Sequence, residues 1–173
     1  MLKITAIIDG SNFYHGCKNL CPEVHLTNFD YRKLVETLID KGVTILYCVG
    51  EIKKEGNNKK SEQMYAQQQS LFYSLEKQGI IIHKGYMLKS DGKFHEKGVD
   101  VKIAVEVVVG ALKNKYNECY LFSSDTDIIP AVEEAKRVNK KIIYVGFDKR
   151  LSRAMMKNCS RTVVIKRGMI IDN

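Results

Sequence analysis

Short apolar runs alternate with helical patterns along most of the chain, and this alternation is the feature that most constrains its fold. The runs that predict strands lie at residues 4–8, 44–49, 80–83, 119–122, 141–147 and 162–165. Helical patterns lie between most of them, at residues 28–42, 61–78, 99–112, 127–138 and 152–159. Strands that alternate with helices form a mainly parallel sheet whose right-handed crossovers cover both faces. The sequence therefore predicts an α/β fold of three layers, with helices on both sides of a central sheet.

The segment 99–112 fits two patterns. Val99, Val101 and Ile103 alternate with charged residues, as they would in a half-buried strand. The segment is longer than a typical strand, however, and it leads into the apolar run that begins at Cys119. Because two parallel strands need a crossover between them, a helix is the better prediction.

The length and charge of the chain limit the number of its domains and the kinds of partner it can bind. Its 173 residues fit one domain, residues 1–173, and suffice to bury a core. The net charge of +8 favours a polyanionic partner such as nucleic acid. No apolar stretch approaches the roughly 20 residues of a membrane-spanning helix. The first strand begins close to Met1 and leaves no room for a signal peptide, so we expect a cytoplasmic protein without a membrane partner.

The five cysteines, an odd number, indicate reduced thiols rather than a framework of disulfides. One group resembles a metal site, because His15, Cys17, Cys21 and His25 offer four zinc ligands within eleven positions. Structural zinc sites usually contain a close cysteine pair followed by a distant histidine pair, which this spacing does not match. Zinc binding is therefore the less favoured interpretation.

Aspartates follow two predicted strands that are far apart in the chain. Asp9 ends the first apolar run, and Asp125 and Asp127 come just after the run at 119–122. The carboxyl ends of parallel strands meet at one edge of a sheet, and open α/β sheets bind ligands beyond that edge. Like charges held close together raise one another's pKa, so such a cluster is tolerated mainly when a cation or a shared proton neutralises it. A divalent metal is the natural candidate.

Asp100 is the expected third contributor, since it lies at the predicted start of the 99–112 helix and follows a basic loop. The loops at 10–12, 53–60, 89–98, 123–127 and 148–153 all leave strand ends on this same side. Several of these loops are basic, and a basic rim around an acidic centre is expected where a phosphate chain meets a protein-held metal.

Each of these residues also has a structural interpretation. Asp9 and Asn12 could belong to an ordinary strand-to-helix turn, Asp127 could be an N-cap, and Asp100 could simply favour the positive end of a helix. Glu106 lies about 240° around a helix from Asp100 and is better explained as a structural residue. The sequence contains neither of the glycine-rich phosphate motifs G-x-G-x-x-G and G-x-x-x-x-G-K-[ST], and no G-x-S-x-G nucleophile motif.

Three motifs in combination resemble the NYN domain of LabA-like proteins, which are relatives of the PIN-domain nucleases. The motifs are Ile7-Ile8-Asp9-Gly10-Ser11-Asn12, Lys97-Gly98-Val99-Asp100-Val101 and Ser123-Ser124-Asp125-Thr126-Asp127-Ile128-Ile129-Pro130. The resemblance extends over residues 4–165 and implies a PIN-like fold. It also implies cleavage of RNA with Mg²⁺ or Mn²⁺ at an acidic site formed by Asp9, Asp100, Asp125 and Asp127. Ser124 stands where many members have glycine, and Glu106 stands where many have aspartate.

The leading hypothesis is therefore a metal-dependent ribonuclease that acts on single-stranded RNA, with a second copy of the chain as a further candidate partner. In this hypothesis Asn12 orients a water or a phosphate oxygen, and Lys97 contacts the RNA backbone. Ser123 and Ser124 donate hydrogen bonds to the phosphate or to a carboxylate. The alternative is a non-catalytic regulator of the same fold that binds RNA or a protein. A phosphohydrolase of small esters is disfavoured because Ser11 replaces the second aspartate of a D-x-D motif.

Overall fold

A computed structural model describes residues 2–39, 42–54, 59–90 and 93–172 of the chain. Within these ranges one sheet contains the strands β1 Ile4–Asp9, β2 Thr44–Glu51, β3 Ile81–Ser90, β4 Lys93–Lys97, β5 Glu118–Phe122, β6 Lys141–Phe147 and β7 Arg161–Ile165. Their order across the sheet is β4-β3-β2-β1-β5-β6-β7. Every neighbouring pair among these strands is parallel except β3 and β4, which are antiparallel.

The helices in the same ranges cover both faces of the sheet. They are α1 Gly10–Leu20, α2 Tyr31–Leu38, α3 Lys59–Lys77, α4 Val99–Leu112, α5 Ile129–Arg137, α6 Arg153–Asn158 and α7 Arg167–Ile171. Short 3₁₀ helices at Leu26–Asn28 and Thr126–Ile128 precede α2 and α5. None of these helices combines the length and the apolar character that crossing a membrane requires.

The hydrophobic core has one part on each face of the sheet. Helices α1, α2 and α3 pack on the first face through residues such as Phe13. Helices α4, α5 and α6 pack on the second face through residues such as Ile103. Successive side chains of a strand point to opposite faces, so Ile7 and Ile8 belong to different parts of the core. The predicted three-layer α/β fold with a mainly parallel sheet is therefore confirmed.

The central strand β1 lies where the direction of the chain across the sheet reverses. The chain first adds β2 and β3 on one side of β1, and it then returns through α4 to add β5, β6 and β7 on the other side. Open α/β sheets bind ligands in the crevice at such a reversal, beyond the carboxyl ends of the strands. Ile8 of β1 is paired with Phe122 of β5. The residues that follow them, Asp9 and Ser123, therefore leave the sheet side by side.

Helix α1 begins earlier than the sequence indicates. We predicted a loop at 10–12, but α1 begins at Gly10 and its N-cap is Asp9. The Asp9 carboxylate accepts a hydrogen bond from the Asn12 backbone nitrogen (3.0 Å). A Cβ atom at residue 10 would lie 2.7 Å from the ring of Tyr47. Only glycine allows β1 to continue directly into α1 beside this tyrosine.

The helix predicted at 28–42 is shorter in the structure. Helix α2 covers Tyr31–Leu38, and the Asp30 side chain caps it by accepting a hydrogen bond from the Lys33 backbone nitrogen (2.8 Å). The predicted residues before it form the separate 3₁₀ helix Leu26–Asn28. Residues 40–41 of the predicted helix lie outside the described residues.

The loop predicted at 89–98 is also wrong, because β4 runs back along β3 there and pairs Lys97 with Tyr86. Residues 91–92 of that loop lie outside the described residues. In the basic loop predicted at 53–60, α3 already begins at Lys59, and residues 55–58 lie outside the described residues.

The ambiguous segment 99–112 is helix α4, as predicted. Its strand-like pattern arises because the helix is apolar on two opposite sides. Val99, Ile103 and Val107 are buried against the sheet and α5, whereas Val101 and Val105 point outward and are exposed. Helical residues four apart share a side, so two such stripes offset by two positions imitate the alternation of a strand.

Candidate functional site

A cavity of about 450 Å³ lies at the carboxyl edge of the sheet, at the reversal between β1 and β5. It is lined by residues from β1, α1, α4, β6 and the segments that follow β5 and β6. These residues are Asp9, Ser11, Asn12, His15, Gly16, Asp100, Ser124, Asp125, Phe147 and Arg150. We call this cavity the acidic pocket. The structure thus brings Asp9, Asp100 and Asp125 together from three distant parts of the chain.

Asp9 is buried and held by two hydrogen bonds. Asp9 is only 4% exposed. One of its carboxylate oxygens caps α1 by accepting a hydrogen bond from the Asn12 backbone nitrogen. Its second carboxylate oxygen accepts a hydrogen bond from the Ser123 hydroxyl (2.8 Å). The Ser123 hydroxyl in turn accepts a hydrogen bond from the Asp125 backbone nitrogen (3.2 Å). One buried hydroxyl therefore ties the Asp9 carboxylate to the backbone that carries Asp125.

Asn12 and Ser124 fasten the two strand ends to each other. The Asn12 side-chain oxygen accepts a hydrogen bond from the Ser124 backbone nitrogen (3.2 Å). The Ser124 hydroxyl hydrogen-bonds the hydroxyl of the buried Tyr144 (2.7 Å), which also accepts from the Ser152 backbone nitrogen (3.1 Å). Asn12 and Ser124 both line the acidic pocket. Their hydrogen bonds also hold the segments after β1 and β5 in place, and these segments form the pocket wall.

Asp125, rather than Asp127, caps the 3₁₀ helix that follows β5. Its carboxylate accepts a hydrogen bond from the Asp127 backbone nitrogen (2.9 Å). The alternative interpretation of Asp127 as an N-cap is wrong, because the helical segment begins one residue earlier, at Thr126. Asp127 is not part of the pocket lining among the described residues.

Asp100 experiences the negative charge of this cluster. Helix α4 contacts the 3₁₀ helix Thr126–Ile128, which brings the first turn of α4 towards Asp125 and Asp127. Partial burial, and after it the charges of Asp125 and Asp127, raises the pKa of Asp100. Asp100, Asp125 and Asp127 therefore lie within electrostatic reach of one another, and Asp9 lines the same pocket as Asp100 and Asp125.

Two of the predicted substrate-binding residues do not line the pocket. Ser123 is buried, 1% exposed, and its hydroxyl is used by Asp9 and Asp125 as described. Lys97 is the exposed last residue of β4, outside the pocket lining. Ser123 therefore acts on the carboxylate and the backbone that form the pocket, and Lys97 lies outside the pocket lining.

His15 and Arg150 line the pocket although we did not predict them as site residues. His15 lies on α1 four positions after Ser11, and residues at this spacing share one side of a helix. We could not place His15 at the site from the sequence, because we had not predicted that a helix begins at Gly10. Arg150 lies in the loop that follows β6, which we did expect at this edge. Nothing in the sequence distinguishes Arg150 from its neighbours Lys149 and Arg153.

The group His15, Cys17, Cys21 and His25 does not form a zinc site. Cys17 and Cys21 are buried in the core, and burial raises the pKa of both thiols, which opposes the thiolate form that binds zinc. His15 lines the acidic pocket, whereas His25 lines a different groove on the other side of α1.

Glu106 lies away from the acidic pocket. Its carboxylate is 3.3 Å from Nδ1 of His83 on β3, in a second cavity of about 760 Å³ at the amino-terminal end of the strands. The position of Glu106 therefore favours a structural role over a role in the acidic pocket.

The acidic pocket suits a hydrated cation better than an enclosed one. Among the described residues, no three His, Cys, Asp or Glu side chains are close enough to hold a metal ion between them. Asp9, Asp100 and Asp125 nevertheless line one cavity, and their carboxylate oxygens are ligands that Mg²⁺ and Mn²⁺ prefer. Mg²⁺ commonly keeps several waters and binds through one or two carboxylates together with substrate phosphates. The donor set fits this mode of binding.

Comparison with known proteins gives a family and a fold. Residues 3–166 match the NYN domain family. The fold is similar to the crystal structure of a protein of unknown function from Vibrio parahaemolyticus RIMD 2210633, with a TM-score of 0.67 and 22% sequence identity. That similarity covers 95% of this chain and 93% of the other chain. No curated protein matches the chain.

Proposed function

Because the chain belongs to the NYN domain family, we propose that it hydrolyses phosphodiester bonds of single-stranded RNA with the help of Mg²⁺ or Mn²⁺. A nuclease-type, PIN-like fold is what this family implies. The three sequence motifs further support a place among the LabA-like members. The observation that carries the proposal is the convergence of Asp9, Asp100 and Asp125 on the acidic pocket, where partial burial and, after it, neighbouring negative charges raise the pKa of Asp100.

Such a cluster of like charges costs stability, so a cation is the simplest reason for its presence. A divalent ion bound there would lower the pKa of a bound water and neutralise charge on the attacked phosphate. One or two of the carboxylates of Asp9, Asp100 and Asp125 would hold the ion together with bound water, with Asp127 at the edge of the cluster. The hydrogen bonds from Asn12 and Ser123 would keep the Asp9 carboxylate in one orientation. A carboxylate fixed in this way loses little conformational entropy when it binds a ligand.

Arg150 and His15 would contact the phosphate. An RNA phosphate carries one negative charge, which the carboxylates repel and a guanidinium attracts. Arg150 lines the same pocket as the carboxylates, so one phosphate can meet both the cation site and the arginine. The His15 imidazole offers a further hydrogen bond from α1. The net charge of +8 would draw the RNA to the protein in a salt-dependent way.

The test is cleavage of an end-labelled single-stranded RNA with Mn²⁺ by the Asp125→Asn variant. Asparagine keeps an oxygen that can accept the hydrogen bond of the Asp127 backbone nitrogen, so we expect an unchanged fold with cleavage reduced to the level seen in EDTA. Asp148→Asn is the matched control, because Asp148 is an exposed aspartate at the same edge that does not line the pocket. Equal cleavage by wild type and Asp125→Asn would refute the proposal.

The second candidate is a regulator that binds RNA or a protein without cutting. One observation favours it, namely that no three metal-binding side chains of the described residues lie close enough to hold an ion as they stand. RNA binding with a steep salt dependence, together with intact RNA after incubation in Mg²⁺ or Mn²⁺, would establish the regulator and reject the nuclease.

A further inference from the structure

A second groove, of about 320 Å³, lies on the other side of α1, between this helix and α3. Two consecutive residues of α1 line the two cavities. His15 lines the acidic pocket, and Tyr14 lines the groove. Their rings are in edge-to-face contact, with centroids 5.4 Å apart and planes at 83°. The two cavities are therefore separated by little more than the outer surface of one helix.

The groove combines flat apolar surface with hydrogen-bonding groups. Leu26, Ile52 and Leu71 supply apolar surface, and the ring of Tyr14 stands at its side with 47% of the residue exposed. Gln67 is exposed at the same groove, and its amide can both donate and accept hydrogen bonds. An exposed aromatic ring beside apolar surface and an amide is the combination that binds a nucleobase, by stacking on its face and by hydrogen bonds to its edge.

The charge of the groove is compatible with a polyanion. Among the described residues that line it, none is acidic, whereas Lys18 and His25 are basic. The Lys18 ammonium donates to the carbonyl oxygens of Pro22 (2.9 Å) and Val24 (2.7 Å), so its positive charge is held beside the groove. Outside the groove lining, but only two residues after the lining residue Ile52, Lys54 lies over the ring of Tyr65, 5.2 Å from its centroid. A backbone phosphate that approaches the groove would meet positive rather than negative charge.

From these observations we propose that the Tyr14 groove binds one unpaired nucleobase of the RNA strand whose phosphate lies in the acidic pocket. Tyr14 stacks on the base and Gln67 contacts its edge. This inference rests on the proposed function, because it assigns both cavities to one RNA strand. The RNA strand crosses the outer surface of α1 near Ser11 and His15. Its path from the acidic pocket to the groove is about one helix diameter, or 10–12 Å.

The arrangement selects single-stranded RNA. A base that enters the groove must leave its stack, which costs free energy in a duplex and little in a flexible strand. Base stacking on an aromatic ring tolerates every base, so the groove strengthens binding without a strong sequence preference. A modest preference would come from Gln67 alone.

The test compares RNA binding by Tyr14→Ala, Tyr14→Phe and a matched control, Tyr73→Ala. Tyr73 is an exposed tyrosine on α3, 61% exposed, that does not line the groove. In EDTA, where RNA stays intact, we expect Tyr14→Ala to weaken binding of a short oligouridine by about 5- to 100-fold, the range for loss of one stacked base. Tyr14→Phe, which keeps the ring, and Tyr73→Ala should bind like wild type.

A fluorescent base reports stacking directly and separates it from a loss of structure. An oligonucleotide that carries 2-aminopurine should lose fluorescence when it binds the wild type and retain it with Tyr14→Ala. Equal quenching and equal affinity in both proteins would overturn the groove assignment. An absence of RNA binding by the wild type would overturn it as well.

A small substrate distinguishes failure of this inference from failure of the proposed hydrolysis. Bis(p-nitrophenyl) phosphate can enter the acidic pocket without reaching the groove, so Tyr14→Ala should lose a much larger fraction of its RNA cleavage than of its Mn²⁺-dependent hydrolysis of this ester, each measured relative to the wild type. If the wild type binds RNA through Tyr14 but cleaves neither compound, the hydrolytic function is rejected and the groove assignment stands. If both compounds are cleaved equally by wild type and Tyr14→Ala, the groove assignment is rejected and the hydrolytic function stands.

Discussion

The two cavities at opposite ends of the sheet treat negative charge in opposite ways. At the amino-terminal end, the larger cavity of about 760 Å³ contains one carboxylate, Glu106, which lies 3.3 Å from the His83 imidazole. At the carboxyl end, the smaller acidic pocket of about 450 Å³ collects Asp9, Asp100 and Asp125. A carboxylate beside an imidazole is the expected state of a structural residue, whereas clustered carboxylates raise one another's pKa and need a reason to persist. The distribution of charge, and not the size of the cavity, therefore identifies the candidate site.

The largest effect is expected at Asp9, where the acidic pocket and the stability of the fold depend on one side chain. Asp9→Ala removes the N-cap of α1 and leaves the buried Ser123 hydroxyl without its acceptor. We expect a loss of about 2–4 kcal/mol in the free energy of unfolding, measured by urea denaturation, together with complete loss of cleavage.

Asp9→Asn separates these two contributions. Asparagine is a good N-cap, and its amide can donate to the Ser123 oxygen although it cannot accept the Ser123 proton as the carboxylate does, so the free energy of unfolding should fall by less than it does in Asp9→Ala. Cleavage should still be lost, because the neutral amide is a poor ligand for a divalent ion. A stable Asp9→Asn variant with full cleavage would remove Asp9 from the catalytic site.

Arg150 provides the second test, because it supplies positive charge to a pocket that is otherwise acidic. Arg150→Ala should raise KM for RNA about 10- to 100-fold, the effect of losing one charge-assisted hydrogen bond. The slope of log affinity against log salt should also fall by about 1, since one phosphate contact is lost. Arg153→Ala removes the same charge from a nearby exposed position outside the pocket lining and should leave KM unchanged.

A smaller effect is expected on the thermal stability of Asp100→Asn. A folded-state pKa that is raised means that stability is lost as the pH rises through that pKa, because the charged form is disfavoured in the folded protein. At pH 7 in EDTA, Asp100→Asn should therefore melt slightly higher than wild type. The difference should stay below the 2–4 °C that about 1 kcal/mol produces, since solvent screens these charges, and it should vanish below about pH 3.9.

Mn²⁺ should reverse that order. An ion that binds only the folded protein raises its melting temperature, so wild type should gain stability on addition of Mn²⁺ while Asp100→Asn gains less. Differential scanning fluorimetry with and without Mn²⁺ measures both effects. A wild type that Mn²⁺ does not stabilise would show that the acidic cluster has no cation as its partner.

Much of the fold could be predicted from the sequence, and the reason is periodicity. Apolar runs such as 141–147 and the helical pattern of 99–112 record burial directly, and the alternation of such elements leaves few possible topologies. The same logic predicted that Asp9 and Asp125 would meet, because the carboxyl ends of parallel strands share one edge. The extension of β3 beyond residue 83 and the antiparallel strand β4 were missed, because residues 84–97 contain two glycines and many charged residues and show no regular alternation of apolar and polar residues.

The contacts within the site could not be predicted in the same way. The Ser123 hydroxyl joins the Asp9 carboxylate to the Asp125 backbone. The sequence alone does not predict this contact, because it depends on the register between β1 and β5. Arg150 reaches the pocket while Arg153 does not, although both follow β6. These outcomes depend on the directions of individual side chains in the packed fold.

The smallest effect is expected at Glu106, and it tests the other half of the comparison. Glu106 and His83 are both partly exposed, so Glu106→Gln should cost at most about 1 kcal/mol of stability and change RNA cleavage by less than about twofold. Glu36→Gln is the matched control, because Glu36 is a partly exposed glutamate whose carboxylate lies 3.3 Å from Arg32 and which lines neither of these two cavities. A tenfold loss of cleavage in Glu106→Gln alone, with stability unchanged, would show that the side of α4 facing β3 takes part in catalysis. The charge distribution would then no longer separate a functional cavity from a structural one, and Glu106 would have to be counted with the aspartates.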